Sequence, residues 1–371
     1  MELRTVESLC DAVYSGGTPS RKKPEYYEGG TIPWIKTMEI RDGYIYDSEE
    51  KITESGLQNS SAKFVPKESV LIAMYGATVG RVGYLKIDST TNQAACALVV
   101  DSEITNPKWL YYSILATRDS LIDKANGAAQ QNISVSIVRN HQIKYVPLEE
   151  QERIAGILGS LDDKIEANTR LIQTLEGYIH AMIAKISKSD SLKRVAIKDL
   201  AIHEKNQELP REHVEGAIHH YSLPAYDSGK TPGVEEADSI KSNKFIIDKP
   251  CVLFSKLNPG TPRIWLVNPE DGVKSYASTE FIVLTPNENV DIANLWAACS
   301  EERISQNLAD MASGTSTSHQ RVRPADILNS KVLDLNDQSE IRSITSYIEA
   351  LRKENLQLAE TRDALIMRLI G

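Results

Sequence analysis

The chain has 371 residues, a length that suits two or three domains, and its 41% hydrophobic and 25% charged residues exclude a disordered or fibrous protein. A formal charge of −9 excludes an indiscriminate nucleic-acid coat, because non-specific affinity comes from neutralising phosphates. No apolar run approaches the roughly 20 residues that cross a bilayer, and Glu2 and Glu7 at the start do not suit a secretory leader, so a cytoplasmic chain without membrane contact is expected.

Residues 1–147 read as a mixed region of short strands, turns and helices. Gly16-Gly17-Thr18-Pro19 marks a loop, and 70–75 and 94–100 are apolar strand candidates. Gly76–Gly83 looks like a phosphate loop but lacks the Gly-Lys-Ser/Thr ending, so it reads as strand, turn, strand. A long helix follows at about 149–187, within a segment 148–192. Residues 193–334 form a second mixed region, with strand candidates at 251–255 and 280–285 and a Pro/Gly loop at Asn258–Pro262. A second long helix fills about 336–370, within 335–371. The four segments carry net charges of −1, −3, −4 and −1, so any nucleic-acid contact needs a local basic cleft or a basic partner.

Both helices step apolar residues by three and four, the seam of a coiled coil. The first runs Leu158, Leu161, Ile165, Asn168, Ile172, Leu175, Ile179, Met182, Ile186. The second runs Ile344, Ile348, Leu351, Asn355, Leu358, Arg362, Leu365, Leu369. The two most simply pack on each other as an antiparallel pair roughly 50–60 Å long. Asn168 and Asn355 occupy matching seam positions; each is either a buried register-setting polar residue or a solvated one at the seam edge.

The chain also overlays on itself. A shift of 187 places Gly314 on Gly127, Lys331 on Lys144, Leu335 on Leu148, Gln338 on Gln151 and Asn355 on Asn168. A shift of 182 places Val252 on Val70 and Arg263 on Arg81, and a shift of 185 places Phe281 on Cys96 and Val283 on Leu98. Thr5–Leu9 resembles Ala196–Leu200. A period this long suggests two copies of one domain plus a helical arm.

Chemistry-bearing motifs are sparse. Cys10, Cys96, Cys251 and Cys299 lie far apart and read as reduced core thiols. His203, His219 and His220 lack ligand partners at metal spacing, so no metal site is expected. Asn258-Pro259-Gly260 is not the tetrapeptide of adenine methyltransferases. No catalytic residue is assigned and the chain reads as non-enzymatic.

Six segments carry a family resemblance: SGGTPSR at 15–21, TIPWIKTMEI at 31–40, NGAAQQNISVSIVRNHQI at 126–143, VPLEEQERIAGILGSLDDKIEANTRLI at 146–172, SKLNPGTPRIW at 255–265 and STEFIVL at 278–284. Through these the chain resembles the specificity subunits of Type I restriction-modification enzymes. The second helix departs from the pattern, with Asp334-Leu335-Asn336-Asp337-Gln338 in place of Pro147-Leu148-Glu149-Glu150-Gln151. The resemblance implies an α+β fold: two repeated target-recognition domains, each a twisted β-sheet plus short helices, separated by two long antiparallel coiled-coil helices. Each domain would read one half of a gapped site on double-stranded DNA. The helices would set the gap and dock two modification methyltransferase subunits, with restriction (helicase-nuclease) subunits joining the complex. S-adenosylmethionine and ATP with Mg would belong to those partners, and none of them to this chain. The alternative is a coiled-coil interaction scaffold whose recognition domains no longer read DNA.

Base readout needs Arg, Lys, Asn, Gln, Ser or Thr at a groove, and phosphate contacts need cations and small polar groups on loops. In the first copy the candidates are Thr18, Ser20, Arg21, Lys22, Lys23, Lys36, Tyr75, Thr78, Arg81, Gln130, Gln131 and Asn132. In the second they are Lys244, Lys256, Asn258, Arg263, Ser316, Thr317, Ser318, His319, Gln320, Arg321 and Arg323. The bland readings are a solvated turn for 18–23 and a helix cap for 127–132. Trp34 and Trp265 read as core anchors.

Overall fold

The computed structural model describes residues 2–124, 132–189, 192–312 and 320–371. The chain divides into two compact units, Met1–Asn168 with Glu354–Gly371, and Thr169–Lys353.

In the first unit five strands pair in the order Cys10–Ser15, Ala95–Val100, Val70–Ala73, Val82–Leu85 and Gly43–Ile45. Side chains alternate between faces along each strand. Val70, Ile72, Cys96 and Leu98 join one core with Trp109, Tyr112, Ile154, Leu158 and Ile366 from the helices. Leu71, Ala73, Ala95 and Ala97 join a second core with Ile35, Ile40 and Val65. Both faces of the sheet are therefore covered. A smaller sheet orders Lys51–Ile52, Ile32–Ile35, Ser89–Thr91 and Phe64–Val65.

The second unit repeats this plan. Ala201–Glu204, Phe281–Pro286, Cys251–Ser255 and Ile264–Val267 form the central sheet. Val252, Phe254, Ile282 and Leu284 face the helices, and Cys251, Leu253, Phe281 and Val283 face Trp265 and Tyr221. Trp34 and Trp265 are both 3% exposed, as core anchors should be.

The cores correct one of the self-overlays and the strand pairing another. At a shift of 185, Phe281 would replace Cys96, yet these residues point to opposite faces; Ile282 and Leu284 replace Cys96 and Leu98, a shift of 186. A strand's period of two turns a one-residue error into an inversion. Ahead of the long helices the shift is 189, not 187. Ile143 pairs with Arg4 as Val332 pairs with Val195. The His141 carbonyl accepts from the Val6 amide as the Ser330 carbonyl does from Ile197. The second copy is two residues shorter between this strand and the helix, where Ile154 and Ile341 match again at 187 and both are buried.

The long helices span Leu148–Ser189 and Ser339–Leu369. The first starts where the sequence places it, because Gln151 pins it: its Oε1 accepts the Asn106 amide at 2.8 Å, and its Nε2 donates to the Ile104 and Val146 carbonyls at 3.1 and 2.8 Å. The second starts about three residues later than the spacing suggests. There Asn294 takes over the anchoring and donates to the Asn336 carbonyl at 3.1 Å.

The helices pair antiparallel within each unit. In the first unit Asn168 Nδ2 donates to Asn355 Oδ1 at 2.9 Å and to Glu354 Oε2 at 2.8 Å. Arg362 Nη1 bonds Asp162 Oδ1 at 2.7 Å, and the Tyr112 hydroxyl donates to Asp162 Oδ2 at 2.6 Å. In the second unit Glu176 accepts from Arg352 at 2.6 Å and from Lys230 at 2.8 Å. Asn168 is 2% exposed, so it is not the solvated edge residue that the bland reading allows. Among the described residues no helix is long and apolar enough to cross a membrane, and no group of three or more His, Cys, Asp or Glu could hold a metal.

Candidate nucleic-acid interface

One end of each central sheet carries the same construction. In the first unit the strand Val70–Ala73 turns back to Val82–Leu85, as the sequence reading has it. The Gly80 amide donates to the Ala73 carbonyl at 2.8 Å and the Ala73 amide to the Arg81 carbonyl at 2.9 Å. Gly76 and Gly80 adopt φ of +77° and +79°, a region that costs a side-chain-bearing residue energy. The Met74 amide donates to the Ala94 carbonyl and its carbonyl accepts from Ile133, so the chain returning beside exposed Asn132 meets the turn. Tyr75 is exposed and Thr78 half-buried on this turn.

Gly16 and Gly17 bring the 18–23 loop to the same neighbourhood. A Cβ on Gly16 would lie 2.1 Å from the Thr91 carbonyl oxygen, so only glycine fits. The Thr18 hydroxyl donates to Gln93 Oε1. Ser20, Arg21, Lys22 and Lys23 are exposed. Arg21 lies over the Tyr27 ring at 4.4 Å and bonds Glu50 at 2.5 Å. Lys36 bridges Glu49 and Glu50 at 2.9 and 3.1 Å. The Arg21 and Lys36 partners hold the Glu50 carboxyl below its ordinary range. Lys23 donates to the Tyr26 hydroxyl at 2.8 Å.

The second unit matches this with different side chains. The Lys256 amide donates to the Glu280 carbonyl at 2.8 Å, and its carbonyl accepts from Val322 at 3.0 Å. The Asn258 amide donates to the Gln320 carbonyl at 2.8 Å, and Leu257 bridges Arg321. Asn258 has φ +50°, which asparagine tolerates better than most residues, where the first copy has Gly76. Arg321 pairs with Glu280 at 2.7 Å, Arg323 with Asp326 at 2.9 Å and Arg263 with Asp227 at 2.7 Å. Burial lowers the half-buried Lys256 ammonium, and Arg321 lowers it further against Glu280.

The structure thus brings Lys256, Asn258, Gln320 and Arg321 together, with Arg263 at the base of the same turn. Lys244 is not joined to them by any hydrogen bond among the described residues. It is 8% exposed, and its ammonium donates to Ser242 Oγ at 2.6 Å. Gln130, Gln131, Ser316, Thr317, Ser318 and His319 lie outside the described residues.

The arginines differ in how free they are. The side chains of Arg21, Arg321 and Arg323 are 54%, 62% and 83% exposed. Exposed pairs hold by about 0.2–1 kcal/mol, so a phosphate can displace the carboxylate. The Arg263 side chain is 17% exposed and bonds Asp227 through both Nε and Nη2. The sequence reading missed these carboxylates, and Arg118, which shares Asp42 with Arg81. A usable signal existed: Asp42 falls on Asp227 at a shift of 185, as Arg81 falls on Arg263 at 182.

Residues 1–177 match the family model of the Type I restriction modification DNA specificity domain. Over this segment, just under half of the chain, the protein is similar to that DNA specificity domain. It is 30% identical over 154 residues to the specificity subunit of the Escherichia coli enzyme EcoR124I/EcoR124II, covering 40% of this chain and 38% of that one. It is 33% identical over 169 residues to the specificity subunit of Methanocaldococcus jannaschii MjaIX, covering 44% and 38%. The matched stretch thus spans under two-fifths of these relatives. The crystal structure of the S subunit of a Type I restriction-modification system from M. genitalium aligns with a TM-score of 0.54 at 17% identity, covering 100% of this chain and 96% of that one. The α+β fold read from the sequence is therefore shared.

Proposed function

We propose that this chain reads a two-part DNA sequence for a Type I restriction-modification complex. Each sheet domain contacts one half of a gapped site, and the paired helices set the gap. The helices dock two modification subunits that methylate adenine with S-adenosylmethionine, and restriction subunits using ATP and Mg join the complex. The chain itself supplies recognition without catalysis and works in the cytoplasm. One observation carries this reading: both copies end their central sheet in a polar turn met by a returning chain, at Met74 and Ile133 in one and Lys256 and Val322 in the other. Two such turns on different side chains suit two different half-sites.

The test is the modified-adenine map of the host genome with the gene intact and deleted. Loss of one gapped two-part motif on deletion is the expected result. An unchanged map contradicts the reading and favours a scaffold.

A further inference from the structure

Arg81 and Arg263 occupy the same repeat position but are held differently. The Arg81 side chain is 51% exposed and bonds Asp42 Oδ2 through Nη1 at 2.5 Å. No other hydrogen bond of its guanidinium occurs among the described residues, so the Nε/Nη2 edge keeps its donors. Asp42 is itself fixed. Its Oδ1 accepts the Val82 amide at 2.9 Å, its Oδ2 accepts Arg118 Nη1 at 2.9 Å, and its side chain is 16% exposed. Arg263 spends its Nε/Nη2 edge on Asp227 at 2.7 and 3.0 Å, and its Nη1 is buried without a partner. A guanidinium reads guanine by presenting two N–H groups to O6 and N7 in the major groove. Arg81 retains such an edge and Arg263 does not.

We propose that Arg81 reads a guanine in the half-site contacted by the first unit, with Asp42 as its positioning residue. Arg263 is a strut that holds its turn on Asp227 and reads no base. The proposal rests on the DNA-reading function above. A corner-tethered guanidinium loses less freedom on binding than a loose one, and its exposed position in the turn with Tyr75 and Thr78 leaves room for a base edge.

The experiment compares methylation motifs in cells carrying the full chain and its partner subunits, with Arg81→Lys, Arg81→Ala, Asp42→Asn and Arg263→Lys variants. Purified complexes are then competed against duplexes altered at each half-site base pair. Lysine keeps the charge and the tether to Asp42 but cannot present the fork. Arg81→Lys should relax one guanine position in one half-site by about ten- to a hundredfold, leaving the other half and the gap intact. Asp42→Asn should relax the same position by less, and Arg263→Lys should relax no single base position, weakening the other half-site evenly if at all. An unchanged motif in both Arg81 variants overturns the proposal. So does a uniform loss of affinity at every sequence, which marks a phosphate contact. Absence of any gapped motif with the unaltered chain sinks the underlying function instead.

Discussion

Lys22 is exposed and no ion pair holds it among the described residues, whereas Arg321 is paired with Glu280. Replacing each by alanine therefore has different consequences. Lys22→Ala should weaken DNA binding by the complex evenly across sequences and lower the salt slope by about one. Arg321→Ala should cost more, because it also leaves the Glu280 carboxylate facing the DNA unneutralised. Binding constants across a salt series check both, and an unchanged slope removes the residue from the contact surface. A different titration concerns His141, which is 1% exposed. The Thr117 hydroxyl donates to the Ser113 carbonyl at 2.8 Å, so it accepts from His141 Nε2 at 2.8 Å. Nδ1 remains buried without a partner. Burial, helped by Lys124, pushes the imidazole down from 6.5 to about 4. The unfolded chain thus takes up this proton first, so stability is full above pH ~6.5 and falls as pH drops toward ~4, by up to ~3 kcal/mol. Denaturant melts should show His141→Gln losing that part of the pH slope; an identical slope refutes the assignment.

At the scale of the element, the helices carry a direct prediction. Asn168→Leu removes the donor that Asn355 Oδ1 and Glu354 accept from, and should cost about 1–3 kcal/mol. Adding Asn355→Leu should recover part of that loss, since two apolar residues leave fewer unmet polar groups. A double-mutant cycle measured by denaturation checks this, and additive losses would show the two residues act separately. The helices were legible because their three-four spacing repeats for many turns and tolerates an error at either end. Strand register was not. Val70–Ala73 and Ala95–Leu98 are buried on both faces, so their hydropathy does not alternate and a one-residue slip leaves no trace in sequence. A bulge between Val99 and Val100, where the partner strand carries Asp11 as an extra residue, shifts the register again. Cation-bearing loops were legible from composition. Their occupancy was not, because Asp42, Asp227, Glu50 and Glu280 reach Arg81, Arg263, Arg21 and Arg321 from 29 to 41 residues away in sequence.

For the whole molecule, duplication is the organising fact. Each copy closes a sheet core of its own, and both long helices add residues to each unit's core, Ile154, Leu158 and Ile366 in the first unit and Ile179, Ile183 and Ile348 in the second. On the proposed function, a chain with a −9 charge draws on its partners' charge to hold DNA. On the proposed function, two domains read two half-sites at a spacing fixed by the helices. The most direct test inserts one heptad into both helices, after residue 168 and before residue 354, and maps the methylated motif. Seven residues add about 10.5 Å, or about three base pairs at 3.4 Å each. The expected result is the same two half-sites with a gap longer by about three base pairs. A motif with an unaltered gap would contradict it.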